Sequence, residues 1–120
     1  MIEILRLDHV LISIPPNTRE LAREFYVEKL NFQEIEGNHP HGAIWIKAGD
    51  IEIHIREETI HQTQSVRHAA FQVKDLKAAK EFLVSKNIEI SFSTLIEGRE
   101  RCFFRDPWGN RFELIEFIKS

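Results

Sequence analysis

Apolar and polar residues alternate over residues 4–14, the period of a strand with one covered face, and Pro15-Pro16-Asn17 ends the run. Asn17 with Glu20 three residues on predicts a helix N-cap and capping box. The helix that follows carries Leu21, Ala22, Phe25, Tyr26 and Leu30 as its apolar stripe. Strand-like stretches come next at 32–36, 43–47 and 51–56, the last two joined by the hairpin signal Ala48-Gly49-Asp50. Residues 59–65 are polar and aperiodic, a linker. The order then repeats. A strand over 66–73 leads to Asp75 as N-cap, then to a helix with Leu76, Ala79, Phe82 and Leu83 on one side. Strands at 89–92, 101–105 and 111–117 complete the pattern, with Asp106-Pro107-Trp108-Gly109 as a type I turn.

The second half therefore repeats the first. His9-Val10-Leu11-Ile12 answers to His68-Ala69-Ala70-Phe71, and Arg23-Glu24-Phe25-Tyr26-Val27 to Lys80-Glu81-Phe82-Leu83-Val84. Gly49-Asp50-Ile51-Glu52-Ile53 answers, with one residue inserted, to Gly109-Asn110-Arg111-Phe112-Glu113-Leu114. The expected fold class is α+β, built from two βαβββ modules at about 1–58 and 66–120 that share one domain.

Strand parity separates the candidate chemistry from the core. Val10, Ile12 and Ile14 point towards the helix, and His9, Leu11 and Ser13 point away. In the second module Ala69, Phe71 and Val73 oppose His68, Ala70 and Gln72. Over 51–56, Ile51, Ile53 and Ile55 oppose Glu52, His54 and Arg56, and in the last strand Phe112 and Leu114 oppose Glu113. Each module thus aims one His and one carboxylate at the face its helix leaves open. Two imidazoles and two carboxylates brought together by a pseudo-twofold would suit a six-coordinate divalent ion with open water positions: Zn, Ni, Co, Mn or Fe(II). His54 shares the face of Glu52 and is an alternative to it as ligand, or a neighbour to the ligands; the repeat favours Glu52. His39, His41 and His61 fall in loops and are expected to face solvent.

Composition narrows the field further. With 120 residues and nine Phe the chain can bury a sizeable core. A formal net charge of −3, with signs mixed along the chain, leaves no basic stripe for nucleic acid. The single Cys102 cannot close an intramolecular disulfide and reads as an inert packed thiol in a reducing cytoplasm. No apolar run is long enough to cross a bilayer, and the first residues lack a basic region followed by an apolar stretch, so neither membrane insertion nor export is expected.

The runs Leu7-Asp8-His9-Val10, Ala22-Arg23-Glu24-Phe25-Tyr26, Arg67-His68-Ala69-Ala70-Phe71 and Phe104-Arg105-Asp106-Pro107-Trp108-Gly109-Asn110-Arg111-Phe112-Glu113-Leu114 resemble the vicinal oxygen chelate superfamily. That group includes glyoxalase I, methylmalonyl-CoA epimerase, fosfomycin-modifying thiol transferases, extradiol dioxygenases and bleomycin-binding proteins. The resemblance implies paired βαβββ modules whose sheets form a cup around a divalent metal. It implies His9, His68 and Glu113 as ligands with Glu52 as the fourth. It also implies a lyase or isomerase acting on a small substrate that chelates through two vicinal oxygens, with Glu113 or Glu52 as general base. The alternative within the family is a metal-independent protein that binds a drug or other small molecule. Arg101, with Phe103 beside it, and Arg105 are candidates to meet an anionic substrate, and Trp45 and His54 to line its cup. A homodimer is expected, since cups of this family are often completed across a subunit interface.

Overall fold

The computed structural model describes residues 1–59, 61 and 65–118. The chain divides into two compact units, Met1–His61 and Gln62–Ser120, each with the βαβββ order and its own four-stranded mixed sheet. The two-module α+β architecture expected from the repeat is what the fold contains.

In the first unit, β1 (His9–Ile14) lies parallel to β4 (Ile51–Glu57), which pairs antiparallel with β3 (Ile44–Ala48), and β3 with the short β2 (Glu34–Ile35). The strand begins at His9, not at residue 4. The main-chain Asp8 carbonyl accepts from the Glu52 N–H, and among the described residues the β1–β4 ladder goes no further upstream, where the Arg6 side chain donates to the Asp50 carbonyl in the turn before β4. Ile2, Ile4, Leu5 and Leu7 are accordingly exposed. Helix α1 (Arg19–Arg23) continues without a break into a wider-turned stretch, Glu24–Lys29. Its start differs from the expected capping box. Asn17 takes a positive φ of 65°, Thr18 is the N-cap, and the cap comes from β4: Glu57 Oε2 accepts from the Thr18 and Arg19 N–H groups at 3.0 and 3.3 Å. The apolar stripe is Ala22, Phe25, Tyr26 and Leu30, while Leu21 is 56% exposed. These pack on Ile14, Ile44, Ile46, Ile53 and Ile55, all nearly inaccessible, each isoleucine contributing about 2 kcal/mol by burial.

The second unit repeats the plan. Strand β5 (His68–Gln72) is parallel to β8 (Arg111–Phe117), followed by β7 (Arg99–Arg105) and the short β6 (Ile90–Ser91). Helix α2 (Leu76–Ser85) starts as expected at Asp75, whose side chain accepts from the Ala78 N–H at 3.0 Å. Leu76 and Leu83 face the sheet; Phe82, expected inside, is exposed. The turn into β8 is organised by Asp106. Its Oδ1 accepts from the Trp108 and Asn110 N–H groups at 3.0 and 2.8 Å, its Oδ2 from the Asn110 amide at 2.8 Å, and the Gly109 N–H closes on the Asp106 carbonyl at 3.1 Å. Among the described residues no helix is long and apolar enough to cross a membrane.

Register corrects one part of the repeat. In the first unit His9 pairs with Glu52, and Leu11 with His54; in the second His68 pairs with Arg111, and Ala70 with Glu113. The antiparallel partner of His54 is Trp45 and that of Glu113 is Phe103. The counterpart of Glu113 is therefore His54, and that of Glu52 is Arg111. Matching the two glycines misleads because they are not equivalent. Gly49, at φ 64°, opens a tight turn closed by the Ala48–Ile51 pair, whereas Gly109 lies late in the longer turn spanned by the Arg105–Arg111 pair.

Candidate functional site

The open face of the first sheet is built from alternate residues of three strands. β1 supplies His9, Leu11 and Ser13; β4 supplies Glu52, His54 and Arg56; β3 supplies Trp45 opposite His54. Four rings stack there in one column. His39 lies 4.0 Å from Trp45, Trp45 lies 4.0 Å from His54, and His54 lies 4.1 Å from His9, with planes within 14° of parallel throughout. Each such contact contributes about 1 kcal/mol beyond burial. The His39 imidazole is held at its edge too, Nε2–H donating to the Ile35 carbonyl at 2.8 Å. His39 is thus half-buried and not a solvent-facing loop residue, and His61 is likewise engaged, its Nδ1 2.8 Å from Ser13 Oγ; His41 is exposed as expected.

The tautomers on this face follow from what the partners can accept. The Asp8 carboxylate lies 2.9 Å from His9 Nδ1, so Nδ1 carries the proton and Nε2 is left as the ring's donor atom. That hydrogen bond, with Arg6 and His9 close by, holds the Asp8 carboxyl below its ordinary range. Glu52 Oε1 lies 2.9 Å from His54 Nε2, which fixes the proton there and leaves Nδ1. His54 is only 8% exposed, so its polar edge depends on this carboxylate. A cavity of about 470 Å³ opens over the face, lined among others by His9, Trp45, Glu52 and His54, with Arg56 and His41 also on its wall. Both faces of the Trp45 indole are covered by imidazoles, so it meets the cavity with its edge.

The second unit offers a smaller cluster. His68 Nδ1–H donates to the Val66 carbonyl at 2.9 Å, and His68 Nε2 lies 2.8 Å from Glu113 Oε1. Glu113, 4% exposed, receives Arg101 Nη1 on its other oxygen at 3.2 Å. Arg101 also donates to the Thr94 carbonyl, so its guanidinium is occupied within the unit. Phe103 is buried beneath these groups, its ring edge-on to His68 at 5.4 Å, with the Arg111 guanidinium 4.0 Å from its centroid. Arg105 donates to the Ser65 and Gly109 carbonyls. Burial pushes the Cys102 thiol up, consistent with a packed, unreactive residue.

Among the described residues no three His, Cys, Asp or Glu side chains form a group able to hold a metal; each unit has its own smaller set. The chemistry of those sets nonetheless fits a metal. In both units the strand histidine has its Nδ1 proton committed to a fixed acceptor, Asp8 or the Val66 carbonyl, the arrangement that orients an imidazole for coordination through Nε2. Asp8 and Arg56 were given no role from sequence. An acid directly before a ligand-type histidine was the available signal for Asp8. For Arg56 it was a cation in step with Glu52 and His54.

The sequence model of the glyoxalase/bleomycin resistance protein/dioxygenase superfamily matches residues 6–114, and the chain belongs to that superfamily. A comparison with curated proteins gives no significant match. Among solved structures, a protein of the glyoxalase family from Bacillus anthracis is 31% identical, with a TM-score of 0.89, covering 98% of this chain and 99% of that one. A glyoxalase family protein from Enterococcus faecalis is 28% identical at a TM-score of 0.67, covering 95% and 97%. TnmS3, an antibiotic-binding protein from Streptomyces sp. CB03234, shares the fold at 23% identity and a TM-score of 0.74, covering 96% and 100%.

Proposed function

We propose that this chain is a metal-dependent isomerase or lyase of the glyoxalase type, acting on a small substrate that binds through two vicinal oxygens. The observation that carries this reading is the shared wiring of His9 and His68, each with Nδ1–H tied to a fixed acceptor, which leaves Nε2 of His9 over and turns Nε2 of His68 towards Glu113, the carboxylate proposed beside it as a ligand. We assign His9 and His68 as ligands together with Glu113 and, because strand register makes it the counterpart of Glu113, His54, with Glu52 holding His54 in its tautomer. A divalent ion in such a site, Zn, Ni, Co, Mn or Fe(II), would polarise the chelated oxygens and stabilise negative charge as it develops.

The chain's own residues then divide the work. Glu113 has both oxygens engaged, by His68 and Arg101, which suits a fixed role. Glu52 uses only Oε1, and among the described residues Oε2 has no partner, so Glu52 is the better-disposed general base. It would take the proton from the carbon beside the carbonyl and return it to the neighbouring carbon, giving isomerisation without net loss of atoms. We include a homodimer in the proposal, since β1 and β5, which carry the two histidines, are edge strands of their own sheets. The test is turnover of methylglyoxal–thiol adducts by protein supplied in turn with each of the five metals. Glu52→Gln should lower kcat by 100-fold or more with little change in KM; unchanged turnover in that variant would remove Glu52 as base.

A second reading, sequestration of a drug or metabolite without metal, is favoured by the ring-lined cavity and by the antibiotic-binding neighbour of the same fold. Tight binding of an aromatic ligand to metal-free protein, unaltered by His68→Ala, would support it.

A further inference from the structure

The cavity of the first unit is electrically two-ended. Asp8 and Glu52 stand at the end marked by the His9–Glu52 pair, each carboxylate engaged with a histidine. At the other end stands Arg56, paired across the sheet with Ser13, two residues beyond His54 on the same face. The neighbouring acid does not neutralise it: Glu57 points to the opposite face, where it caps α1. Among the described residues Arg56 has no hydrogen-bond or ion-pair partner, although it is half-buried in a cavity wall. A guanidinium so placed, with five donors and a fixed charge, wants a carboxylate or phosphate. His41 lines the same cavity. Its turn, Pro40–Gly42, directly precedes the Ile44–Ile55 pair and so lies at the Arg56 end, tied down by Arg19 Nε donating to the Gly42 carbonyl at 2.8 Å.

We infer that Arg56, assisted by His41, is an anchor for an anionic group, so that the substrate of this site carries a carboxylate or phosphate-type tail beyond its chelating oxygens. The inference rests on the proposed metal reading for the position of those oxygens, but the anchor itself does not need the metal. Strand geometry sets the spacing. Arg56 is about 7 Å beyond His54 along the strand, so a linker of about four methylenes separates the two ends of the ligand.

The test has two arms. Metal-free protein is titrated with adipate while the Arg56 Nε–H signal is followed by NMR, with Arg56→Gln to assign it. The signal should move and saturate with adipate and stay still with hexanamide. A signal that ignores adipate, or that chloride at the same ionic strength moves equally, overturns the anchor. In the second arm, metal-loaded protein is titrated calorimetrically with adipic monohydroxamate and with hexanohydroxamate, which differ by the carboxylate. The acid should bind at least tenfold more tightly to wild type, less than threefold more tightly to Arg56→Gln, and intermediately to Arg56→Lys. Equal binding of the two hydroxamates to wild type overturns the anchor and leaves the metal reading standing. Binding of neither, with the adipate response intact, does the reverse.

Discussion

His9 donates its Nδ1 proton to the Asp8 carboxylate across 2.9 Å, a bond between sequence neighbours that decides which ring nitrogen faces the cavity. Both side chains are substantially exposed, so the bond's value lies in orientation and not in fold stability. Replacing the acid should therefore separate the two properties. Asp8→Asn is expected to weaken divalent-metal binding about 10- to 100-fold, the usual consequence of losing such a partner, while the unfolding midpoint stays within error. Competition with a chromogenic chelator measures the first and thermal denaturation the second.

In the second unit the buried Glu113 pairs with the half-buried Arg101, and a buried carboxylate tolerates the loss of its cation poorly. Arg101→Met should destabilise by about 3 kcal/mol, and adding Glu113→Gln should recover part of that loss. Chemical denaturation of the two variants checks this. A double variant less stable than the single one would contradict the pairing.

Acid sensitivity should have an identifiable source in the first unit. Arg23 meets Glu34 in a two-point bridge of 2.8 and 3.0 Å, and its hydrogen bonds hold the Glu34 carboxyl below the usual carboxylate range. A depressed carboxyl contributes stability that is present above its unfolded-state value and is lost as pH falls through the folded one. Glu34→Gln should cost about 1 kcal/mol near neutrality, and the difference from wild type should begin to shrink as pH falls past the ordinary carboxylate range and vanish only below the depressed folded-state value, in denaturation series run across that range.

The turn before β8 should be as sensitive as a core position. Asp106, 5% exposed, holds two backbone N–H groups and the Asn110 amide, and the strand it launches carries Glu113. Asp106→Ala is expected to cost about 2–3 kcal/mol and to reduce metal content in the remaining folded protein. Asp106→Asn, which keeps a carbonyl acceptor, should cost less.

What the sequence disclosed, and what it hid, divides along the range of the interactions. Alternation over 51–56 places Glu52, His54 and Arg56 on one face because a strand's period is local, and Asp75 announces α2 because its cap is local. The start of α1 was misread because its capping oxygen comes from Glu57, 39 residues away from Thr18. The match of Glu52 to Glu113 failed because turn length, not glycine position, sets register between strands. The column of His39, Trp45, His54 and His9 draws rings from three strands and a loop, which no single periodicity can bring to light.

Whether this chain holds a catalytic divalent metal is decided by elemental mass spectrometry of purified wild type beside His68→Ala and Glu113→Ala, each shown to be folded by circular dichroism. Close to one divalent ion per chain is expected in wild type, with its loss from both variants. Wild type that stays metal-free after incubation with Ni, Co, Zn, Mn and Fe(II) would contradict it, and would leave the cavity of the first unit as a binding site for an organic ligand alone.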